Sequence, residues 1–201
     1  MIIEVCAESY EFAVKAEKAG ADRIELCKDL HLDGLTPDYK SAKRTIDSLN
    51  IPVFILIRPR AGDFIYSDEE FELMKSDIVK FKEMRCKGIV SGVLSSDNSI
   101  DLKRTKELVE LSRPMEFTFH RAFDIVSNPL VQLENLIEIE VDRILTSGQK
   151  DRAIDGLELL DELKNISKNR IKIMPGSGIN KTNILNFESF DEIHGSFKNG
   201  F

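Results

Sequence analysis

The sequence predicts an α/β protein whose eight parallel strands close into a (β/α)8, or TIM, barrel. Eight short apolar runs recur along the 201 residues, and a longer segment with helical periodicity follows seven of them. Because strands and helices alternate, with no two strands in direct succession, the strands must pair in parallel through helical crossovers. Eight such units in 201 residues fit the lower end of the size range for this barrel. We therefore expect a single domain over residues 1–201.

The eight predicted strands are short apolar runs that end in polar or turn residues. They span residues 2–6, 22–27, 51–57, 88–94, 115–120, 142–147, 171–174 and 191–196. A doubly wound open sheet with a bound dinucleotide is the alternative architecture. The first strand–helix junction, EVCAESYEF, contains no glycine and so lacks the phosphate-binding turn of such a sheet. The barrel is therefore the favoured architecture.

Seven segments with helical periodicity predict helices that lie between the strands and cover the outside of the barrel. They span residues 9–19, 39–49, 67–85, 102–111, 129–139, 152–169 and 181–187. Ser67 and Asp101 suit helix N-caps, and Pro129 suits a first helical turn. Only residues 197–201 follow the eighth strand, so the final helix is expected to be absent or truncated. The outer face of the first and eighth strands would then be exposed unless a partner covers it.

Composition and charge indicate a soluble, folded protein without a nucleic-acid partner. Hydrophobic residues make up 42% of the chain and the formal net charge is -7, whereas phosphate recognition needs a basic patch. Cys6, Cys27 and Cys86 are odd in number and form no CxxC pair, which favours reduced thiols over a disulfide framework. The N-terminus lacks the basic segment and apolar run of a signal peptide, and no long apolar stretch predicts a membrane span. We expect a cytoplasmic protein.

Polar residues recur on one face of several predicted strands, since alternate residues of a strand face opposite sides. Helices cover the outside of a barrel, so apolar side chains such as Phe117 and Phe119 are expected to point outward and the polar ones inward. The predicted inward set is Glu4, Cys6, Glu25, Cys27, Thr118, His120 and His194. Bulky branched residues normally fill this interior, and polar groups are costly to bury without partners. These side chains therefore predict a functional site.

A second group of polar residues lies at the ends of the predicted strands, where barrels of this kind place their sites. It comprises Arg58, Arg60, Asp63, Arg121, Asp124, Ser147, Gly176, Ser177, Gly178, Gly195 and Ser196. Guanidinium groups suit forked hydrogen bonds to a carboxylate or phosphate, and a glycine turn lets backbone N–H groups approach an anion. The sequence thus predicts an anion site. The arginines are also close enough in sequence to pair with Asp63 and Asp124 instead.

Seven short motifs occur along the chain in the order found in one family. They are EVCAES, GADRIELC, GLTP, IRPRAGDFIYS, FTFHRAFD, RILTSGQ and IHGS. By these motifs the chain resembles the CutC proteins, which are named for copper homeostasis. The resemblance implies a TIM barrel, a cytoplasmic location, a homo-oligomer such as a dimer, and Cu(I) ligands at Cys6 and Cys27. Two features depart from the family: PGSG stands where an Ala-Gly-Gly-Gly type of turn is usual, and the family commonly continues beyond the eighth strand.

Two functions of different classes are consistent with these residues. In the first, Cys6 and Cys27 bind Cu(I), which soft thiolates suit, although free cysteines also occur as small buried hydrophobic residues. In the second, the protein is an enzyme of the lyase, isomerase or hydrolase type that acts on a small anionic or phosphorylated metabolite. Glu25, His120 or Glu4 would then serve as general acid or base.

The same three side chains have two further interpretations. Glu4, Glu25 and His120 could hold a hard divalent metal, or form an internal network with the arginines at the strand ends. Schiff-base chemistry is disfavoured, since the one lysine within a predicted strand, Lys172, lies at the start of the seventh. The sequence leaves open whether the protein is an enzyme.

Overall fold

The computed structural model describes residues 1–196, and its centre is a sheet of eight parallel strands. The strands are β1 Ile2–Ala7, β2 Arg23–Leu26, β3 Val53–Leu56, β4 Gly88–Ser91, β5 Glu116–Phe119, β6 Arg143–Thr146, β7 Lys172–Pro175 and β8 Glu192–Ser196. They pair in the order β7-β6-β5-β4-β3-β2-β1-β8, and a parallel bridge between Gly176 and His194 joins the two ends. The barrel is thus nearly closed, which confirms the predicted fold and all eight predicted strands.

Within residues 1–196, six α-helices connect the strands and pack on the outside of the barrel. They are α1 Tyr10–Lys18, α2 Tyr39–Ser48, α3 Asp68–Glu83, α4 Leu102–Ser112, α5 Pro129–Glu138 and α6 Leu157–Ser167. Ser67 and Asp101 accept backbone hydrogen bonds at the N-termini of α3 and α4, as predicted, and Ser67 forms a capping box with Glu70. None of the helices in residues 1–196 is long and apolar enough to cross a membrane.

The structure corrects two predicted helices. The helix predicted at 181–187 is wrong: only a 3₁₀ turn, Ile184–Phe187, forms there. Asn180 accepts hydrogen bonds from the backbone and hydroxyl of Thr182, and Asn183 accepts one from the Asn180 backbone. Such local side-chain bonds compete with helix formation. The helix predicted from residue 152 begins only at residue 157, after a second 3₁₀ turn, Ala153–Gly156.

The outer face of β1 and β8 is less exposed than the sequence suggested. Val5 and Ile193 point outward from these strands and belong to the buried hydrophobic core. A groove of about 200 Å³ lies beside Val5, between α1 and Ile184. The 3₁₀ segment and α1 therefore flank the face that a final helix would cover. The predicted absence of that helix concerns residues 197–201, which lie outside the described residues.

The inward and outward faces of the strands differ as the alternation predicted. Phe117 and Phe119 are fully buried in the large hydrophobic core shared with the helices. A smaller buried cluster lies on the inward face and comprises Cys6, Cys27, Phe54, Leu56 and Val90. The polar inward residues form one group towards the N-terminal ends of the strands and one towards the C-terminal ends, and Arg23 bonds to both groups, through Glu192 and Glu4.

Candidate functional site

A cavity of about 420 Å³ opens at the C-terminal ends of the strands. The predicted site residues that line it are Cys6, Glu25, Arg58, His120, Arg121, Asp124, Ser177, Gly178, His194, Gly195 and Ser196. Leu30, Leu56, Phe64, Ile125 and Leu145 supply its apolar walls. The predicted residues Glu4, Cys27, Arg60, Asp63, Ser147 and Gly176 are not part of the lining. Most of the polar residues predicted for one site therefore do surround one cavity.

Two thiols lie together beside this cavity, and Cys6 is the one that lines it. The Sγ atoms of Cys6 and Cys27 are 3.5 Å apart, and the Cys27 thiol also contacts the Ala7 carbonyl at 3.7 Å. Both cysteines are buried, but Cys6 reaches the cavity wall. The hydrogen bond to Cys27, burial and the nearby Glu25 carboxylate raise the pKa of Cys6 well above its ordinary value. The Cys6 thiol is therefore protonated near neutral pH.

Glu4 and His194 form a buried acid–imidazole pair beside the thiols. β1 and β8 pair with these two residues in register, and His194 Nδ1 lies 2.7 Å from Glu4 Oε1. Arg23 donates to the other Glu4 oxygen at 2.5 Å. Burial alone would raise the pKa of Glu4, but Arg23 and His194 lower it to about 2. Burial lowers the pKa of His194, yet its hydrogen bond to Glu4 and the charges of Glu25 and Glu4 raise it overall.

Glu25 lies next to this pair without joining it by a hydrogen bond. Its Oε2 atom is 3.6 Å from His194 Nδ1 and has no hydrogen-bond partner among residues 1–196. Burial raises the pKa of Glu25 to about 7. Glu25 is therefore the carboxyl group of the cavity that can gain or lose a proton near neutral pH, which is the property required of a general acid or base.

The sequence predicted Glu4, Glu25 and His120 as possible ligands of one metal ion, and the structure replaces one of the three. Glu4, Glu25 and His194, rather than His120, bring their ligand atoms within 4.8 Å of one another. β8 neighbours β1 whereas His120 follows β5, so barrel closure selects His194. The Arg23 guanidinium already binds Glu4, and its positive charge opposes a hard divalent cation at the same carboxylate. An ion-paired acid–imidazole group describes this trio better than a metal site.

His120 lies on the opposite wall and is buried. Its Nδ1 atom accepts a hydrogen bond from the Ala122 backbone at 3.3 Å, so the neutral ring carries its proton on Nε2. Burial and the charge of Arg58 lower the pKa of His120 to about 3. A side chain at Gly92 would meet the imidazole at 2.8 Å, so glycine is needed there for the ring to fit. Sequence reasoning missed Gly92, which follows β4 directly.

The three predicted arginines occupy different environments. Arg58 is buried in the cavity wall, where its terminal nitrogens donate to the carbonyl groups of Leu32, Gly34 and Gly62. Arg60 points away from the cavity and binds Glu70 at 2.6 Å and Asp63 at 2.9 Å. The structure therefore brings Arg58 to the site and leaves Arg60 and Asp63 in a separate loop network.

Arg121, Asp124 and Ser147 form a tightly bonded corner at the cavity rim. Asp124 accepts hydrogen bonds from Arg121 at 2.7 Å, from the Thr146 hydroxyl at 2.5 Å and from the Ser147 backbone at 2.9 Å. The Ser147 hydroxyl also binds Asp124, at 3.0 Å, and accepts a bond from Arg121. The Asp124 carboxylate is thus occupied in joining β6 to the segment after β5.

The predicted glycine turn is only partly available to a ligand. Gly176 N–H donates to the Thr146 carbonyl, and a side chain at Gly176 would meet Leu145 at 2.5 Å. Gly176 therefore allows close packing and closure of the barrel. Ser177 and Gly178 have positive φ angles of 85° and 69° and lie in the cavity wall. The Ser177 hydroxyl donates to the Asp151 carbonyl at 2.7 Å.

Sequence reasoning missed a buried ionic network at the N-terminal end of the barrel. Glu192 accepts from Arg23 at 2.5 Å, from Arg143 at 2.8 Å and from Lys172 at 2.9 Å. Burial raises the pKa of Glu192, but Arg143 and Arg23 lower it to about 2. Arg143 also binds Glu116 at 2.5 Å. Strand alternation could have found this network, since these residues share the inward face with Glu25, Leu145 and His194.

Known proteins resemble this chain along nearly its whole length. A model of the CutC family matches residues 1–199. A CutC family protein of Photorhabdus laumondii is 46% identical over 196 residues, which are 96% of this chain and 79% of that protein. The human copper homeostasis protein cutC homolog is 46% identical over 183 residues, which are 91% of this chain and 67% of that protein.

Solved structures agree with these sequence matches. The crystal structure of the CutC protein of Streptococcus agalactiae superposes with a TM-score of 0.92 at 30% identity, covering 97% of this chain and 98% of that one. An aldolase designated QR15 superposes with a TM-score of 0.72 at 16% identity, covering 99% of this chain and 90% of that one. At that identity the likeness concerns the barrel fold alone.

Proposed function

The chain belongs to the CutC family, and from this membership we propose that it takes part in copper homeostasis and binds Cu(I) through Cys6 and Cys27. The observation that carries the proposal is the 3.5 Å separation of the two sulfur atoms. Soft thiolates are preferred ligands of Cu(I). Cys6 also lines the cavity, which provides a route for an ion from solvent to the thiol pair.

The two thiols can bind a Cu(I) ion only if they lose their protons. Thiols bind metals as thiolates, so binding must release protons. The raised pKa of Cys6 opposes this release. Copper affinity is therefore expected to increase as the pH rises, and the positive charge of the ion would offset part of the cost of a buried thiolate.

An anaerobic Cu(I) titration against a competing chelator tests this proposal. We expect one tight site in the reduced wild type and its loss in the Cys6→Ser/Cys27→Ser double variant. Cys86→Ser is the matched control, because Cys86 is also buried but lies beside Met115 and outside the cavity. Equal binding by the double variant and the wild type would refute the proposal and leave Cys6 and Cys27 as packing residues.

We also propose a cytoplasmic location and a homo-oligomeric state. Three cysteines without disulfide bonds support a reducing compartment. The apolar groove between α1 and Ile184 supports contact with a further segment or chain. Light scattering coupled to gel filtration measures the mass in solution, and a monomer mass at micromolar concentration would contradict the oligomeric state.

A further inference from the structure

Three buried side chains around the cavity each present a polar atom without a hydrogen-bond partner in the described chain. These atoms are Glu25 Oε2, Arg58 Nε and His120 Nε2. Each of the three residues is at least 95% buried, with 4% to 5% of its surface exposed. Buried polar groups are nearly always bonded, and an unpaired one is costly. Three such atoms at one cavity indicate that a ligand completes their hydrogen bonds.

Two of these atoms are donors on the same wall. An arginine guanidinium group only donates hydrogen bonds, and His120 carries its proton on Nε2 because Nδ1 accepts from Ala122. Phe64 contacts both groups: its ring centroid is 4.7 Å from that of His120 and 5.1 Å from the Arg58 guanidinium carbon. A charged donor and a neutral donor held by one aromatic ring suit the two oxygens of a carboxylate.

The charges around the cavity limit the ligand to one negative charge. Arg121 is neutralised by Asp124, whereas Arg58 makes no salt bridge within residues 1–196, and its partners, three backbone carbonyl groups and the Tyr66 hydroxyl, are neutral. Glu25 and Asp33 also line the cavity and disfavour a dianion such as phosphate, and the lining residue His194 is already paired with Glu4. The apolar walls and the volume of about 420 Å³ suit the carbon skeleton of a small molecule.

We infer that this cavity binds a small organic monocarboxylate that also carries a hydroxyl group. The carboxylate accepts hydrogen bonds from Arg58 Nε and His120 Nε2, and the hydroxyl group bonds to Glu25 Oε2. This inference goes beyond copper binding and does not depend on it. It also replaces the broader anion site predicted from sequence, since Arg60 lies outside the cavity and the Gly176 N–H is already bonded.

Thermal unfolding of the whole chain with defined probes tests the inference. We expect L-lactate and D-glycerate at millimolar concentration to raise the unfolding midpoint by about 3 °C or more, since ligands that bind only the folded state stabilise it. Lactamide, which lacks the charge, and inorganic phosphate should shift it by less than about 1 °C. No shift with either hydroxy acid, or equal shifts with lactamide and phosphate, would overturn the inference.

Variants assign the binding to the named atoms. His120→Phe keeps an aromatic ring against Phe64 but removes the Nε2 donor, and we expect at least tenfold weaker lactate binding by calorimetry. His31→Phe is the matched control, because His31 is exposed and outside the cavity, and it should bind as the wild type does. Unchanged lactate affinity in a folded His120→Phe variant would refute the assignment.

Two further variants test the hydroxyl contact at residue 25 and the independence of carboxylate binding from the thiol pair. Glu25→Leu, which offers no hydrogen-bonding atom, should weaken the binding of lactate more than that of propionate, which has no hydroxyl group to contact residue 25. Equal weakening of both acids would exclude the proposed hydroxyl contact. The Cys6→Ser/Cys27→Ser variant should retain lactate binding, so failure of the copper proposal and failure of the carboxylate site are distinguishable.

Discussion

The two ends of the barrel interior both contain buried charged residues, but they pair them differently. At the N-terminal end, Glu192 accepts hydrogen bonds from Arg23, Arg143 and Lys172 at 2.5 to 2.9 Å. At the C-terminal end, Glu25 and His120 each keep a polar atom without a partner in the described residues. The first end therefore resembles a completed hydrogen-bond network. At the second end, polar atoms that the described residues do not bond are available to a ligand.

This difference separates structural charge from functional charge. Buried ions are tolerated where partners offset the loss of hydration, and removing one partner leaves the others uncompensated. Unpaired buried groups contribute no such stability and persist where a ligand uses them. The sequence suggested a network of Glu4, Glu25 and His120 with Arg58, Arg60 or Arg121. In the structure Glu4 pairs with Arg23 instead, and Arg143 pairs with Glu192.

The largest effect is expected at the N-terminal end. Glu192→Gln removes the carboxylate shared by Arg23, Arg143 and Lys172, and should lower the free energy of unfolding by about 3 to 5 kcal/mol. Glu116→Gln is the matched control: Glu116 binds the same Arg143, but half of its side chain is exposed. Its cost should be below about 1 kcal/mol. Urea unfolding measures both, and equal costs would contradict the distinction.

A smaller, pH-dependent effect is expected at Glu25. Its pKa in the folded protein is raised from 4.5 to about 7, so the stability associated with its protonated form is fully present below pH 4.5 and lost as the pH rises through about 7. Glu25→Gln should remove this loss and be more stable than the wild type at pH 8, by up to about 3 kcal/mol. Parallel stability profiles for the two proteins between pH 4.5 and 8 would show that Glu25 ionises normally.

The acid limb of the same profiles should report Glu4 and Glu192, the two buried carboxylates that share Arg23. The pKa values of Glu4 and Glu192 are lowered to about 2, so the stability that these carboxylates contribute is present above pH 4.5 and lost as the pH falls through about 2. Glu25→Gln should leave this acid limb unchanged, because Glu4 and Glu192 keep their arginine partners.

The smallest effect on stability is expected at His120. His120→Phe keeps the ring contact with Phe64 and gives up only the 3.3 Å bond from Ala122 N–H, so the cost should be about 1 kcal/mol. The variant would then lose ligand binding while remaining folded. A loss above about 3 kcal/mol in urea unfolding would place His120 with the structural residues at the other end.

Much of the candidate site could be predicted from local pattern. The alternation within β1 and β2 correctly placed Cys6 and Glu25 inward, and that within β5 placed Phe117 and Phe119 outward. The same rule applied to the first residues of β2, β6 and β8 would have found the ionic network. The prediction of a helix at 181–187 was wrong because hydrophobic periodicity carries no information about the side-chain hydrogen bonds of Asn180 and Asn183.

By itself, the sequence determined the order of strands and helices and the face on which each strand residue lies, because both follow from spacing along a short segment. Only the tertiary structure decided which charges meet. Arg23 and Glu192 are 169 positions apart, and they pair because closure of the barrel sets β8 beside β1. The same closure joined His194 to Glu4, whereas His120 Nε2, on the opposite wall, has no hydrogen-bond partner among residues 1–196. A residue's partners depend on barrel geometry, and no local pattern encodes that geometry.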